Sequence, residues 1–283
     1  MIALIDGDVL VYRCAFAAEK TKYLVSHSTI DHAEQWYYLY DAYKDIPKGT
    51  PKDAVWSRKE VEPEEQAIAA TRATLQSILN KLGTDKYELY LSGEKSFREE
   101  LAVSRKYKGN RDAQVRPVHY SAVRSSLLSD FSGRVCEGGL EADDMLGTRA
   151  TSLGDSSVIV SIDKDLLQIP GKHFNWVSGD DVVTIGTRDA FLNLGCQILS
   201  GDPTDNVQGL PGIGPVKARK LLESSSGTSD MLARIRGAYH NHSVFGGDRG
   251  AAEYSLCETT SLVYILREGR KTEALEWLEK HAA

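Results

Sequence analysis

The chain has 283 residues, 41% of them hydrophobic and 26% charged, the balance of an ordinary globular protein of one large or two moderate domains. No uninterrupted apolar stretch approaches the roughly 18 residues that span a bilayer, and the opening Met1-Ile2-Ala3-Leu4-Ile5-Asp6 has no basic leader, so neither a membrane anchor nor a signal peptide is expected. The formal net charge of −6 argues against a nucleic-acid partner only until the eight acids Asp6, Glu141, Asp143, Asp144, Asp163, Asp165, Asp202 and Asp205 are set aside, which leaves 32 acids against 34 Lys and Arg. Cys14, Cys136, Cys196 and Cys257 are far apart with no Cys-x-x-Cys pair, so reduced thiols in a cytoplasm are expected rather than zinc or a disulfide framework.

In chain order, Ile2 to Ile5 reads as a buried strand and Val9 to Glu19 as the helix that follows. Residues 20–63 hold Trp36, Tyr37, Tyr38, Tyr40, Tyr43 and Trp56 with prolines at 47, 51 and 63; the mixed period reads as an irregular insertion with room for a hairpin. A helix is predicted from Pro63 or Glu64 to Leu82, stopped by Gly83, then a second core strand over Tyr87 to Leu91. A long basic segment leads to a helix near Tyr120 to Ser129, and Glu141-Ala142-Asp143-Asp144 opens another to Leu153. Val158 to Ser161 is a third core strand, His173 to Val177 a fourth, with Val182 to Ile185 beside it. From about Asp189 only helical patterns remain, at Phe191 to Ser200, Val216 to Leu222, Met231 to Ile235, Ala251 to Arg267 and Lys271 to His281. The pattern is an α/β core over residues 1–188 followed by a helical region over 189–283.

Chemistry concentrates in four acidic clusters: Asp6 with Asp8; Glu141, Asp143 and Asp144; Asp163 with Asp165; Asp202 with Asp205. Each alone is ordinary, because aspartate caps helices and populates turns. Parallel strands, however, bring their carboxyl ends to one edge of a sheet. Two like charges at ~4 Å cost on the order of 4 kcal/mol in a partly screened site, so converging clusters call for cations between them. Oxygen-only ligands suit Mg²⁺ or Mn²⁺ and not zinc.

Two further features face phosphate chemistry. Lys95, Arg98, Arg105, Lys106, Lys108, Arg111, Arg116 and Arg124 outweigh Glu99, Glu100 and Asp112, giving residues 95–124 a net charge of +5. A solvated charged helix is the ordinary reading of such a run, but Phe97, Tyr107, His119 and Tyr120 among the cations supply stacking surfaces beside phosphate contacts. The turn Gly209-Leu210-Pro211-Gly212-Ile213-Gly214-Pro215 precedes Lys217, Arg219 and Lys220, so that amide N–H groups at a helix start and a basic face can meet a phosphate backbone.

Taken together, Asp6-Gly7-Asp8, Tyr107-Lys108-Gly109-Asn110-Arg111, Glu141-Ala142-Asp143-Asp144, Asp163-Lys164-Asp165, Gly201-Asp202 to Asp205-Asn206 and Gly212-Ile213-Gly214 resemble, in order, the motifs of the flap endonuclease and 5′-3′ exonuclease family, which includes bacteriophage exonucleases and the nuclease domain of bacterial DNA polymerase I. The resemblance implies a PIN-like, mostly parallel sheet flanked by helices, with a helical arch over about 95–125 and a helix-three-turn-helix motif near 209–223 that grips duplex DNA. It implies that Asp6, Glu141 and Asp143, with Asp144 at the edge, hold a first catalytic metal and that Asp163, Asp165, Asp202 and Asp205 hold a second. Lys108 and Arg111 would meet the scissile phosphate and Tyr107 the terminal nucleotide, while Arg98, Arg105, Lys106, Gly212, Gly214, Lys217, Arg219 and Lys220 would contact DNA. A K⁺ ion at the hairpin carbonyls is implied as well. The family places an aspartate just after the second core strand; here the sequence runs Ser92-Gly93-Glu94, so either Glu94 substitutes or that ligand is missing.

The activity expected is Mg²⁺-dependent hydrolysis at DNA 5′ ends, exonucleolytic or on flaps and nicks, by two ions roughly 3.5 to 4 Å apart. RNA in hybrid duplexes stays open as a partner. Two rival readings are a haloacid-dehalogenase-like phosphatase, in which Asp6 and Asp8 are nucleophile and acid, and a non-catalytic DNA-binding protein that uses only the basic segment and the hairpin.

Overall fold

The computed structural model describes residues 1–28, 35–111, 115–179 and 181–281, with the side chains at 26–28 and 35–38 left aside. Part of the 20–63 insertion, the rings of Trp36, Tyr37 and Tyr38, and Asp112 in the basic segment therefore lie outside the described residues. The strands are β1 (Ile2–Asp6), β2 (Glu19–Ser28), β3 (Gln35–Tyr40), β4 (Val55–Val61), β5 (Tyr87–Leu91), β6 (Arg134–Val135), β7 (Ser157–Val160), β8 (Gly171–Phe174), β9 (Val183–Ile185), β10 (Gly201–Asp202) and β11 (Val207–Gln208). The helices are α1 (Gly7–Ala17), α2 (Glu64–Leu82), α3 (Arg98–Leu101), α4 (Tyr120–Ser129), α5 (Ala142–Leu153), α6 (Thr187–Ser200), α7 (Pro215–Leu222), α8 (Thr228–His240), α9 (Arg249–Val263) and α10 (Glu273–Lys280). Among these, none is long and apolar enough to cross a membrane.

A six-stranded sheet runs in the order β6-β5-β1-β7-β8-β9. It is parallel from β6 through β8, and β9 alone pairs antiparallel, as the Val182 to Ile185 stretch suggested. Ala3, Leu4, Ile5, Leu89, Leu91, Val158 and Val160 are fully buried, as central parallel strands covered on both faces require. On one face, α5 supplies Ala142, Leu146 and Ala150, a period of four that packs with Leu4, Tyr90 and Ile159. Each such fully buried aliphatic side chain contributes about 1.5 to 3 kcal/mol through burial.

The chain forms two compact units. The first comprises Met1–Val9, Ile78–Val115 and Leu128–Ala283, and so contains both this sheet and helices α5 to α10. Ile265, just after α9, joins the sheet-side core, while Phe97 and Tyr107 join the core of α6, α8 and α9. The expected boundary at residue 188 is thus a change of element type inside one compact unit. The second unit comprises Leu10–Ser77 and Arg116–Leu127. There the stretch read as irregular forms a three-stranded antiparallel sheet, order β3-β2-β4, with Leu24 opposite both Leu39 and Trp56. The strands escape a hydrophobic-period reading because β2 and β4 mix charged with apolar residues and β3 is largely aromatic. Lys20 pairs with Glu62 at 2.8 Å, Lys22 with Asp41, and Lys59 with Glu19 across the sheet. The basic segment is not a continuous helix: α3 is one turn, residues 109–111 form another, and α4 starts only at Tyr120.

A candidate metal and nucleic-acid site

The carboxylates gather where the parallel strands end. Asp6 closes β1 between β5 and β7, and its side chain is 2% exposed. Its Oδ1 accepts the Val9 N–H at 3.1 Å and its Oδ2 accepts the Ser161 hydroxyl at 2.7 Å. Ser161 Oγ in turn accepts the Asp163 N–H at 3.0 Å, so one hydroxyl couples the ends of β1 and β7. On the other side, the Ser92 N–H donates to Asp8 at 3.0 Å while Ser92 Oγ accepts the Ala142 N–H at 2.9 Å, tying the end of β5 to the starts of α1 and α5. Only glycine fits between Asp6 and Asp8, because a Cβ at Gly7 would stand 2.5 Å from the Tyr90 carbonyl oxygen.

Glu141, Asp143, Asp165, Asp202, Asp205 and Tyr107 line a common cavity of about 30 Å³, room for water-sized occupants. Crowding there shifts proton affinities. Burial first, and then the Asp8 charge, push Asp6 up to about 7 against the hydrogen bonds from Ser161 and Val9. Burial together with Asp6, Asp163 and Glu141 drives Asp143 well above the usual carboxylate range. Burial, Asp163 and Asp202 bring Asp165 to about 8. Asp205 is raised by burial, although Lys108 and Arg111 oppose the shift. No histidine or cysteine lines this cavity, so the donor set is oxygen, which fits a hard divalent cation. Among the described residues no three acids are already drawn in around one ion point, so the fit is one of chemistry and convergence.

Lys108 and Arg111 reach the same acids from the basic segment. Lys108 Nζ contacts Glu141 and stands 3.7 Å from Asp205, and Arg111 pairs with Asp205. Residues 106–110 are docked by backbone groups and one amide side chain: Lys108 N–H donates to the Asp205 carbonyl at 2.8 Å, Asn110 Nδ2 to that of Pro203 at 2.7 Å, and Asn206 Nδ2 to that of Lys106 at 2.9 Å. Although burial alone would raise Glu141, the charges of Lys108 and Arg98 and the hydrogen bonds from Lys108 and Tyr107 outweigh it and hold Glu141 at about 2.

Three expectations are corrected. Arg98 is 3% exposed and cannot contact DNA; it donates to Asp144 at 2.7 and 2.8 Å, to Glu141 at 2.9 Å, and to the carbonyls of Leu262 and Tyr264 at 3.1 and 2.6 Å. Asp144 is fully buried, with its oxygens taken by Arg98 and by the N–H groups of Glu141 and Leu266, which leaves it an anchor and not a metal ligand. Tyr107 is 5% exposed, so its ring cannot stack on a nucleotide; its hydroxyl donates within the acidic group, reaching Glu141 at 2.9 Å and Asp205 at 2.8 Å. Arg105 and Lys106 are exposed, as are Gly212, Gly214, Lys217, Arg219, Lys220 and Glu94. Gly214 caps α7 with Pro215 behind it, Gly212 takes a φ of 74°, and Lys217 Nζ donates to the Gly212 carbonyl at 2.8 Å.

Sequence reading passed over Ser92, Ser161 and Gln197. Ser161 lies two residues before Asp163, and the signal that could have found it is a hydroxyl at the exit of a buried strand next to an acid. Gln197, which donates to Asp165, offers no such signal, since glutamine in an amphipathic helix is unremarkable.

These shifts predict a pH dependence. Asp6, Asp143 and Asp165 hold protons more tightly folded than unfolded, so from about pH 4 to 8 the native state binds more protons and loses stability as pH rises. Glu141 acts oppositely, its contribution vanishing only as pH falls from about 4.5 towards 2. In EDTA the melting temperature is expected to fall by several degrees between pH 5 and 8, at roughly 2 to 4 °C per kcal/mol. Scanning calorimetry across that range checks it, and a flat or rising profile contradicts the crowding.

No family model matches the chain. Over 155 residues it is 34% identical to DNA polymerase I of Pseudomonas aeruginosa, the match covering 48% of this chain and 16% of the polymerase. It is 30% identical over 187 residues to a 5′-3′ exonuclease of Buchnera aphidicola subsp. Schizaphis graminum, covering 60% of this chain and 63% of that one. With the exodeoxyribonuclease of Enterobacteria phage T3 the identity is 28% over 221 residues, covering 75% of this chain and 63% of the other. The chain thus spans less than two thirds of each of these relatives. In fold, a bacteriophage T5 flap endonuclease solved as a pseudo-enzyme-product complex with DNA and metal ions aligns with 98% of this chain and 99% of its own, at a TM-score of 0.56 and 15% identity. A second T5 structure, co-crystallised with metal ions, aligns with a TM-score of 0.52 at 15% identity over 100% of this chain and 99% of that one. In sequence the chain is similar to 5′-3′ exonucleases and to a part of DNA polymerase I, and in fold it is similar to the phage T5 flap endonuclease.

Proposed function

We propose that the chain hydrolyses phosphodiester bonds at DNA 5′ ends, on duplex ends, nicks or flaps, with two Mg²⁺ or Mn²⁺ ions. The observation that carries this reading is the shared cavity of Glu141, Asp143, Asp165, Asp202 and Asp205, with Lys108 and Arg111 at two of its acids. Asp6, Glu141 and Asp143 are the residues for one ion, and Asp163, Asp165, Asp202 and Asp205 those for the other. Bound divalent ions supply Lewis-acid polarisation of the phosphate and a more acidic water.

The chain's own contribution is charge and position. Lys108 and Arg111 present cations to the phosphate at the point where negative charge grows, an effect worth on the order of 3 kcal/mol per well-placed donor. Tyr107 is a positioning residue: its hydroxyl fixes Glu141 against Asp205. Residues 189–283 form the duplex-gripping region in this reading, with Lys217, Arg219 and Lys220 on phosphates. K⁺ at the hairpin belongs to the same reading; the Gly212 carbonyl shared with Lys217 has a second lone pair to offer. Replacing Lys217, Arg219 and Lys220 together by alanine is expected to weaken duplex binding uniformly across sequences and to flatten the plot of log K against log salt by roughly 2 to 3, read by fluorescence anisotropy.

A phosphatase nucleophile needs a free, exposed oxygen, and Asp6 is buried with both oxygens engaged, which counts against that alternative. A purely DNA-binding role leaves the shifted acids without use. Digestion of 5′-labelled duplex, nicked and flapped DNA, with Mg²⁺ or Mn²⁺ and with EDTA, tests the proposal. Metal-dependent loss of the 5′ label supports it, and intact substrate in both metals sinks it.

A further inference from the structure

The one-turn helix Asp165–Gln168, which carries Asp165 to the cavity, is held from several sides by neutral side chains and one arginine. Asn193 Nδ2 on α6 donates to the Leu167 carbonyl at 3.0 Å, Arg267 donates to that of Gln168 at 2.8 Å, and His173 Nε2 meets that of Ile169 at 2.8 Å. One turn along the same face of α6 from Asn193, Gln197 reaches Asp165 itself. The direction of this contact is fixed by what stands behind it. The Ile265 N–H donates to Gln168 Oε1 at 2.9 Å, which commits Gln168 Nε2 as donor to the Val263 carbonyl at 2.9 Å and to Gln197 Oε1 at 3.0 Å. Gln197 therefore has only its Nε2 to offer, and that amide donates to Asp165 Oδ1. Gln168 is fully buried, so the relay has a rigid end.

Resting on the nuclease reading above, we propose that Gln197 is the positioning residue of the second ion group: its amide occupies one oxygen of Asp165 and turns the other towards Asp202, so that the acid meets the incoming cation pre-oriented and as a donor of a single oxygen. A neutral donor suits this place. A second carboxylate would add repulsion, and an amide holds Asp165 without neutralising the charge that attracts the cation. Outer hydrogen bonds of this kind change metal affinity by roughly 10- to 100-fold when removed.

Gln197→Met keeps length and volume while deleting the donor, and Gln197→Glu exchanges it for a like charge. Mn²⁺ binding is measured by calorimetry on the full chain without DNA, alongside melting temperature in EDTA and at increasing Mn²⁺. For wild type, saturable Mn²⁺ binding with a rise in melting temperature is expected. Gln197→Met is expected to need roughly 10- to 100-fold more Mn²⁺ for the same rise, with a melting temperature in EDTA within a few degrees of wild type and unchanged metal-free duplex binding; Gln197→Glu is expected to be weaker than wild type as well. Equal Mn²⁺ affinity in wild type and Gln197→Met overturns the role of Gln197 alone. Absence of Mn²⁺ binding by wild type overturns the nuclease reading beneath it. A large loss of stability of Gln197→Met in EDTA, with unchanged Mn²⁺ affinity, makes the contact structural and also overturns the inference.

Discussion

Arg98→Ala is expected to destabilise the protein by about 3 to 5 kcal/mol, the largest effect of any single substitution in the basic segment. The guanidinium is buried, paired through two nitrogens with Asp144, bonded to Glu141, and anchored on the Leu262 and Tyr264 carbonyls at the end of α9. Removing it leaves the fully buried Asp144 charge without its cation and two buried carbonyls without a donor. Lysine does not repair the site, since one ammonium cannot reproduce the two-pronged geometry. Urea unfolding followed by tryptophan fluorescence gives the measurement, and a loss below about 1 kcal/mol would show that the pair contributes little. The double variant Arg98→Met with Asp144→Leu is expected to recover only the part of the loss that comes from the unpaired Asp144 charge, because the Leu262 and Tyr264 carbonyls and the Glu141 and Leu266 N–H groups stay without partners. DNA affinity, corrected for unfolded protein, should not change, which separates this cation from Lys217, Arg219 and Lys220.

Asp143→Asn is expected to reduce cleavage by at least about 10³-fold while raising the melting temperature in EDTA. The acid is driven well above its ordinary range by burial and by Asp6, Asp163 and Glu141, so its charge costs the fold stability that an amide does not. Under the proposed function that same charge is what attracts the ion, and losing it removes transition-state stabilisation that no neighbour replaces. Duplex binding without metal should be equal or tighter, since one negative charge near the phosphates is gone. Asp144→Asn, one residue along, is expected to do the reverse, lowering stability through loss of the Arg98 pair. A stable, fully active Asp143→Asn enzyme would remove Asp143 from the metal group.

The contrast between these neighbours marks what could be read in advance. Both are acids in the first turn of α5, and composition treats them alike. About 100° of helical rotation separates them, which sends Asp143 to the cavity and Asp144 into the core against Arg98. Arg98 is likewise one cation among eight in the sequence, and only the end of α9, through the Leu262 and Tyr264 carbonyls, sets it apart. Tyr107 was legible as an aromatic among cations, but whether its ring faces solvent depends on the helices α6, α8 and α9 that cover it. Of the antiparallel sheet over residues 19–61 the sequence left room only for a hairpin, because β2 and β4 mix charged with apolar residues and β3 is largely aromatic, so that no strand shows a clean alternation.

The sequence by itself determined the strands β1, β5 and β7, the helices α1, α2 and α5, and the acids at the exits of β1 and β7 and at the start of α5, because burial on both faces forces continuous apolar runs and a parallel sheet brings every strand exit to one edge. It also determined the hairpin with its basic helix, since glycine and proline fix that turn locally. Tertiary structure alone decided which charges work outward and which are consumed inside. Whether a carboxylate attracts a cation or anchors an arginine depends on what lies within a few ångströms of it, and those neighbours, Ser161, Arg98, Gln197 and the end of α9, arrive from distant parts of the chain.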